Sequence, residues 1–302
     1  MGLNLLDIIN SRIAANLGLS VLQVMPKMMG TMLASFAADR IVARRDQPAV
    51  QAVRLNQWVA HNKDLSEAEL DELVQLTFRN RARALFDLFH YMRNEKALYR
   101  MIDFGSDFDE MIKRNKRSVE GTVVIVIHSG AHELVGIAAG LHGMEGLGLT
   151  VTDQSGGYQW HDEMRAKSGI TALPTNISSI KKATNYLKDG GTVITGMERP
   201  YPGSGYRPRF FGQPTSLPVH YIPLAIKANV PIVVVFVRRK NDGTYFIDRS
   251  DFIEMERFKD RREEICRNAE RLLSQAEVLI SKAPDQWAMF YPLWPEFLAD
   301  VP

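Results

Sequence analysis

The sequence predicts an α/β protein in which a mostly parallel central sheet is flanked by helices and preceded by a helical, membrane-associating N-terminal region. Residues 123–127 read VVIVI, an unbroken β-branched run typical of a parallel strand covered on both faces. From residue 121 onward strand and helix patterns alternate, as they do in βαβ units. The first 38 residues are instead apolar with scattered charges. We therefore divide the chain into residues 1–48, the membrane-associating region, and residues 49–302, the α/β domain.

The N-terminal region has the composition of helices that lie in a membrane interface. It is rich in Leu, Ile, Met and Ala, but it is interrupted by charged residues at Asp7, Arg12 and Lys27. No uncharged stretch reaches the roughly 18 residues that a spanning helix needs, and Pro26 would kink a helix that crossed it. Basic residues that could contact anionic headgroups follow at Arg40, Arg44 and Arg45. The alternative is a helical hairpin packed on the domain or on a partner.

The α/β domain is expected to have three parts: a helical lead-in over residues 49–118, a sheet core over 119–255, and a C-terminal helix and tail over 256–302. In the lead-in, Ser66 and Glu69 have the spacing of a capping box. Arg79, Arg81 and Arg83 follow on the same predicted helix, either as phosphate or partner contacts or as a solvated face. We expect strands near 122–127, 147–152, 170–173, 192–197 and 231–238, with a short edge strand near 244–248. Helices are expected near 131–141, 158–168, 177–188, 218–228 and 260–282.

The composition excludes several classes of protein. The chain has 302 residues, of which 45% are hydrophobic and 24% charged, as in ordinary folded proteins. A net charge of +2 gives no global basic field for nucleic acid. The single cysteine, Cys266, excludes an internal disulfide framework and suits a reducing compartment.

The first candidate site is the pair His128 and Glu133, at the end of the first buried strand. Open α/β sheets carry their chemistry at the carboxyl ends of such strands. His128 would end the strand, Ser129 and Gly130 would turn the chain, and Glu133 would lie in the first turn of the next helix. A carboxylate that holds an imidazole in one tautomer, with the other nitrogen free, makes a general base. The alternative is a histidine that only caps backbone groups.

Other candidate residues are expected at the same edge of the sheet. A polar loop at residues 153–165 ends in Arg165, and a loop at 198–211, rich in Pro and Gly, contains Glu198, Arg199, Arg207 and Arg209. Guanidinium groups beside a base suit a substrate that carries phosphate. We expect no metal site, because His128 and His132 lack the H-E-x-x-H spacing. We read His132 as a wall of the site or as a structural residue. Neither a G-x-S-x-G nucleophile elbow nor a Walker-type phosphate loop is present.

The ordered set of these segments resembles a known family. HSGAHE at residues 128–133 is similar to the H-x4-(D/E) motif of glycerolipid acyltransferases, and more particularly to the H-x-G-x-x-E form of the bacterial lipid A biosynthesis acyltransferases of the lauroyl and myristoyl type. Phosphatidylinositol mannoside acyltransferases are related to that group. Further similar segments follow in the same order: Arg165 with Gly169, residues 188–191 before a strand, RFFGQP at 209–214, and PDQW at 284–287.

The resemblance implies an O-acyltransferase in which His128 is the general base, Glu133 orients it, and no covalent acyl-enzyme forms. It also implies that Arg165 holds a phosphate or the oxyanion and that the loop of Arg209, Phe210, Phe211 and Gly212 lines the acyl or acceptor side. The donor would be acyl-carrier protein or acyl-coenzyme A, with no tightly bound cofactor, and the acceptor a membrane lipid or glycolipid. The expected location is the cytoplasmic face of the inner membrane. The alternatives are a thioesterase or lysolipase-type hydrolase and a non-catalytic lipid-binding module.

Overall fold

A computed structural model describes residues 21–92, 94–117, 120–150 and 169–302. Along these residues the α-helices are, in order, α1 (Lys27–Val42), α2 (Pro48–Ala60), α3 (Glu67–Tyr91), α4 (Glu95–Arg100), α5 (Gly105–Arg117), α6 (His132–Leu141), α7 (Ile177–Lys188), α8 (Tyr221–Ala228) and α9 (Arg261–Ser281). The strands are β1 (Ile102–Asp103), β2 (Thr122–Val126), β3 (Gly146–Thr150), β4 (Ile170–Pro174), β5 (Thr192–Thr195), β6 (Arg209–Phe210), β7 (Gln213–Pro214), β8 (Ile232–Arg239) and β9 (Tyr245–Arg249). Short 3₁₀ turns cover Pro284–Gln286 and Pro295–Asp300.

Seven of the described strands form the central sheet, in the order β1-β9-β8-β2-β5-β3-β4. All the pairs are parallel except β8 with β9. The predicted mostly parallel α/β sheet is therefore confirmed. Strand β2 lies between β8 and β5, and Val123, Val124 and Ile125 are at most 3% exposed, because helices cover both faces of the sheet.

Two details of the predicted secondary structure are wrong. The hairpin strand β9 is not an edge strand, because β1 pairs with it through Ile102 and Tyr245. The same pairing shows that residues 49–118 are not helical throughout. Strand β1, which follows α4 and precedes α5 in the chain, joins the sheet, and its Ile102 is only 7% exposed. The helix expected near 158–168 lies outside the described residues.

Local signals in the helices that precede the sheet core agree with the structure. The Ser66 hydroxyl accepts from the backbone N–H of Glu69, and the Glu69 carboxylate accepts from the backbone N–H of Ser66, so the capping box is formed. Pro26 stands at the N-cap of α1, where it ends the preceding helical residues. The break expected at that proline is therefore confirmed.

Helix α1 lies along α3 because Gly30 lets the two backbones approach. A Cβ atom at Gly30 would come 2.0 Å from the ring of Phe86. Gly30 and Ala38 are the buried positions of α1. The opposite face of the helix exposes a stripe of apolar side chains, at Met28, Met29, Met32, Leu33 and Phe36. None of the described helices is long and apolar enough to cross a bilayer.

Candidate active site

The register of the sheet brings His128 beside Glu198. Strands β2 and β5 are parallel neighbours with Ile125 opposite Thr195, so the residues three further along, His128 and Glu198, also face one another. Nδ1 of His128 lies 3.0 Å from Oε1 of Glu198, and that same oxygen accepts from the backbone N–H of His128. The Glu198 side chain is 1% exposed, whereas that of His128 is 30% exposed.

The approach of Nδ1 to a carboxylate favours one tautomer of His128. Because a carboxylate oxygen only accepts, the proton of the neutral imidazole is favoured on Nδ1, with the lone pair on Nε2. Burial by itself would lower the pKa of His128, but the negative charges of Glu198 and then of Glu133 act against it and raise the pKa above its ordinary value. For Glu198 burial would raise the pKa, and the neighbouring His128 more than reverses that, so this pKa is lowered. The imidazole is therefore a stronger base than a free histidine.

Glu133 lies on the other side of the histidine, in the first turn of α6, as predicted. Its two carboxylate oxygens accept from Arg81, at 2.6 and 2.9 Å, and Arg81 also donates to the carbonyl of Gly130. The side chains of Arg81 and Glu133 are only 21% and 13% exposed. Glu133 thus ties the turn after β2 to α3, and its charge contributes to the raised pKa of His128. The carboxylate at Nδ1 of His128 is that of Glu198, for which sequence reasoning had expected a substrate contact.

His132 is a wall of the site. Its ring centroid is 5.4 Å from that of His128, and its Nδ1 lies 2.6 Å from the carbonyl oxygen of Ser129. Because a carbonyl only accepts, Nδ1 carries the proton. Burial lowers the pKa of His132 to about 4, so this ring is neutral near pH 7.

The segment Pro284–Trp287 holds the backbone of the turn in place. The backbone N–H of Ala288 donates to the carbonyl of His128 at 2.8 Å, and Ser129 forms an antiparallel bridge with Trp287. The N–H of Gly130 donates to the carbonyl of Gln286 at 3.1 Å. These residues therefore continue the hydrogen bonding of the sheet beyond the end of β2. They hold the backbone of His128, Ser129 and Gly130 in place, while Arg81 holds the carbonyl of Gly130 from α3.

Gly196 leaves room for the imidazole. A Cβ atom at this position would lie 3.0 Å from Cε1 of His128, which is closer than carbon atoms normally approach. Glycine is favoured here because the ring lies directly against the backbone between β5 and Glu198. A single glycine inside the strand predicted over residues 192–197 was too weak a signal to be selected from the sequence.

A cleft opens at the carboxyl ends of the strands, and His128, His132, Glu133 and Arg199 all line it. Apolar side chains form much of its wall, among them Val126, Val135, Leu149, Ile180, Met289 and Phe290. Ligand sites commonly combine such walls with a few convergent polar groups. The residues that the structure describes contain no cluster of three or more metal-binding side chains.

The arginines expected at this edge differ in their surroundings. The Arg199 guanidinium stacks over the ring of Tyr291 at 4.6 Å and donates to its hydroxyl at 3.0 Å. Its charge acts to lower the pKa of His128, which places it near the imidazole. Arg207 is paired with Glu296 at 3.1 Å. Arg165 lies outside the described residues.

The loop of Arg209, Phe210, Phe211 and Gly212 packs against the rest of the protein. The backbone N–H of Arg209 donates to Glu270, and its guanidinium donates to the carbonyl of Gly212. Phe210 is fully buried, with its ring centroid within 6 Å of those of both Trp287 and Trp294. These residues are not among the described residues that line the cleft, so their expected contact with substrate stays a prediction.

Comparison with known sequences adds an independent finding to this geometry. The sequence model of the family described as bacterial lipid A biosynthesis acyltransferase matches residues 8–296, which is nearly the whole chain. Comparison with curated proteins found no match. A match of this extent also agrees with the ordered motifs from residue 128 to residue 287. The chain belongs to the bacterial lipid A biosynthesis acyltransferase family.

Proposed function

We propose that this protein is an O-acyltransferase that moves a fatty acyl chain from an acyl thioester to a hydroxyl group of a lipid or glycolipid. The family supports acyl transfer onto acceptors like lipid A. The observation that carries the mechanism is the contact of His128 with Glu198. This contact engages Nδ1 and raises the pKa of His128, so that Nε2 is left as the basic nitrogen at a cleft with largely apolar walls.

In the proposed reaction Nε2 of His128 removes the proton of the acceptor hydroxyl while the hydroxyl oxygen attacks the thioester carbonyl carbon. A C–O bond forms, the C–S bond then breaks, and the departing sulfur takes the proton back from Nε2. Glu198 stabilises the imidazolium between these two steps, because its carboxylate lies 3.0 Å from Nδ1. General-base catalysis of this kind typically contributes about 10²–10⁴-fold in rate.

Arg199 is the proposed contact for a substrate phosphate. Arg81 also lines the cleft, but both oxygens of Glu133 already occupy its guanidinium. Among the residues that the structure describes, the contacts of Arg199 are instead with the uncharged Tyr291, which leaves its positive charge available to an anion. Acyl-carrier protein and acyl-coenzyme A both present a phosphopantetheine arm, and the acceptor can carry phosphate of its own. A guanidinium fork suits either.

We further propose that the protein works on the cytoplasmic face of the inner membrane. The exposed stripe on α1, from Met28 to Phe36, supports contact with a bilayer, since exposed apolar patches on monomers often mark such surfaces. Acyl-carrier protein and acyl-coenzyme A are donors of the cytoplasm. Of the arginines first expected to reach headgroups, Arg45 is paired with Glu67 and Asp71.

Product analysis tests the proposal. The purified full-length protein is incubated with acyl-carrier protein or acyl-coenzyme A thioesters and with glycolipid or lysophospholipid acceptors, and the lipids are identified by mass spectrometry. We expect an acceptor heavier by one acyl chain, and a loss of about 10²–10⁴-fold in His128→Ala. The matched control is His61→Ala, because the hydrogen bond of that ring among the described residues is with the Gln57 carbonyl at the end of α2, and because His61 does not line the described cleft. Free fatty acid as the sole product would indicate a hydrolase, and unchanged turnover in His128→Ala would reject the mechanism.

A further inference from the structure

A second, smaller pocket lies between α1 and α3. It has a volume of about 480 Å³. Its described lining consists of Met28, Thr31, Met32, Ser35, Phe36 and Asp39 from α1, and Arg83 from α3. Arg81 and Arg83 are two residues apart, or about 200° around a helix. Arg81 therefore reaches the catalytic cleft, while Arg83 faces α1 on the other side of α3.

The positive charge in this pocket is incompletely neutralised. Nε of Arg83 donates to the hydroxyl of Ser35 at 3.1 Å. The nearby carboxylate, Asp39, is already held by Arg79 through two hydrogen bonds of 2.7 and 2.8 Å. Burial first, and then repulsion from Arg239 and Arg79, lowers the pKa of Arg83. The folded protein thus holds a guanidinium at a place where its charge is disfavoured.

Asp87, a buried carboxylate on the same helix, also bears on this charge balance. It is 2% exposed and accepts from the hydroxyl of Tyr245 at 2.7 Å. Burial raises its pKa, although Arg239 is among the groups that act in the opposite direction. The structure gives Arg83 no hydrogen bond or ion pair with Asp87 among the described residues. Among the described residues, the hydrogen bond of the Arg83 guanidinium goes to Ser35 through Nε, which leaves its terminal nitrogens as donors for an outside anion.

The rim of the pocket is apolar and exposed. Met28, Met32 and Phe36 are 74%, 66% and 55% exposed, and they follow one another at intervals of four residues along one face of α1. A small soluble anion would use the guanidinium but leave these side chains in water. An amphiphile with a negative headgroup and aliphatic chains would use both.

We propose that this pocket binds the phosphate headgroup of an anionic membrane phospholipid, with Arg83 holding the phosphate and the acyl chains lying along Met28, Met32 and Phe36. The assignment rests on the complementarity of a guanidinium set behind an apolar rim, and it does not depend on the reaction in the cleft. Since α3 separates the two sites, the bound headgroup would lie about one helix diameter, roughly 10–12 Å, from the cleft wall at Arg81. The bilayer would thereby be brought next to the opening through which a lipid acceptor enters.

Vesicle cosedimentation of the full-length protein tests the site. Binding is measured to phosphatidylcholine vesicles and to vesicles that also contain phosphatidylglycerol. One basic residue near an anionic surface accounts for about a five-fold change in partition, so a general attraction predicts equal losses in Arg83→Gln and in the exposed control Arg44→Gln. A headgroup site predicts a loss of about ten-fold or more in Arg83→Gln. It also predicts a clear loss in Arg83→Lys, which keeps the charge but lacks the planar fork. Equal losses in the two Gln variants, or full binding by Arg83→Lys, would overturn the proposal.

Thermal unfolding separates this site from a purely structural role. Without lipid, Arg83→Gln should unfold at about the wild-type temperature, because the loss of the hydrogen bond with Ser35 is offset by relief of burial and of repulsion from Arg239 and Arg79. A short-chain phosphatidylglycerol should raise the unfolding temperature of the wild type but not of Arg83→Gln. A lower unfolding temperature for Arg83→Gln without lipid would mean that Arg83 stabilises the fold. Photo-crosslinking with a diazirine-bearing phosphatidylglycerol should label the peptide of residues 28–36. Absence of label on that peptide would reject the site.

Discussion

Replacement of Gly196 by alanine tests whether the position of the His128 ring is the basis of activity. The new Cβ atom would lie 3.0 Å from Cε1 of His128, whereas carbon atoms in contact are normally about 3.5–4.0 Å apart. The imidazole must then move by about 0.5 Å, which is the tolerance within which catalytic groups are held. Its Nδ1 contact with Glu198, now 3.0 Å, would be distorted with it.

We expect Gly196→Ala to lower kcat/KM by about ten-fold, since a misplacement of 1 Å can cost about 10²-fold. An overpacking penalty of about 1 kcal/mol would lower the unfolding temperature by only about 2 °C, so the protein should remain folded at assay temperature. The assay follows acyl transfer from a labelled thioester into a total lipid extract, so that the acceptor need not be known in advance.

The matched control is Gly203→Ala, in the loop that follows Glu198. A Cβ atom there would find its nearest neighbour, in the ring of Tyr201, at an ordinary 3.5 Å. This variant should keep wild-type activity. If Gly196→Ala were equally active, with an unchanged pH profile, then His128 would not lie against Gly196 in the working enzyme, and the proposed base would be in doubt.

Three further variants address the other parts of the site. The proposed mechanism needs the neutral form of His128, whose pKa Glu198 raises against the effect of burial. Glu198→Gln should therefore move the acid limb of the kcat/KM profile to lower pH and reduce the plateau by about 10²–10⁴-fold. An unmoved limb would argue against the contact. Glu133→Gln should lower the free energy of unfolding by about 2 kcal/mol, as measured in urea, because it leaves the half-buried Arg81 without its carboxylate; wild-type stability would contradict this. Phe210→Ala removes a fully buried ring, so it should lower the free energy of unfolding by about 3–5 kcal/mol and leave KM unchanged. A variant of wild-type stability with a raised KM would instead favour the substrate contact that the resemblance implies.

Features set by neighbouring residues were predictable from the sequence. Helix α7 spans Ile177–Lys188, the range expected, and Asn176 caps it by accepting from the backbone N–H of Ser179. The buried strand β2 and the capping box at Ser66 likewise depend on spacing within a few residues. Caps and periodicity are local, so a single sequence suffices to predict them.

Features that depend on the order of the strands were not predictable in this way. Strand β5 lies between β2 and β3, although it follows both in the sequence, and this insertion brings Glu198 to His128. Sequence reasoning placed both residues at one edge of the sheet but paired His128 with Glu133, the carboxylate nearest in sequence. In the same way Phe210 belongs to a motif of the resembling family, yet only the packing of Trp287 and Trp294 shows that its ring is enclosed.

The hydrogen bond from the backbone N–H of Ala288 to the carbonyl of His128 joins two parts of the chain that are translated about 160 residues apart. During synthesis the sheet strands and His128, the proposed base, leave the ribosome well before residues 284–288 follow. A nascent chain would therefore hold its imidazole on an unsupported turn until residues 284–288 have been synthesised. Truncated products that still contain every cleft-lining strand should accordingly be inactive, so that premature termination cannot release a partly active enzyme.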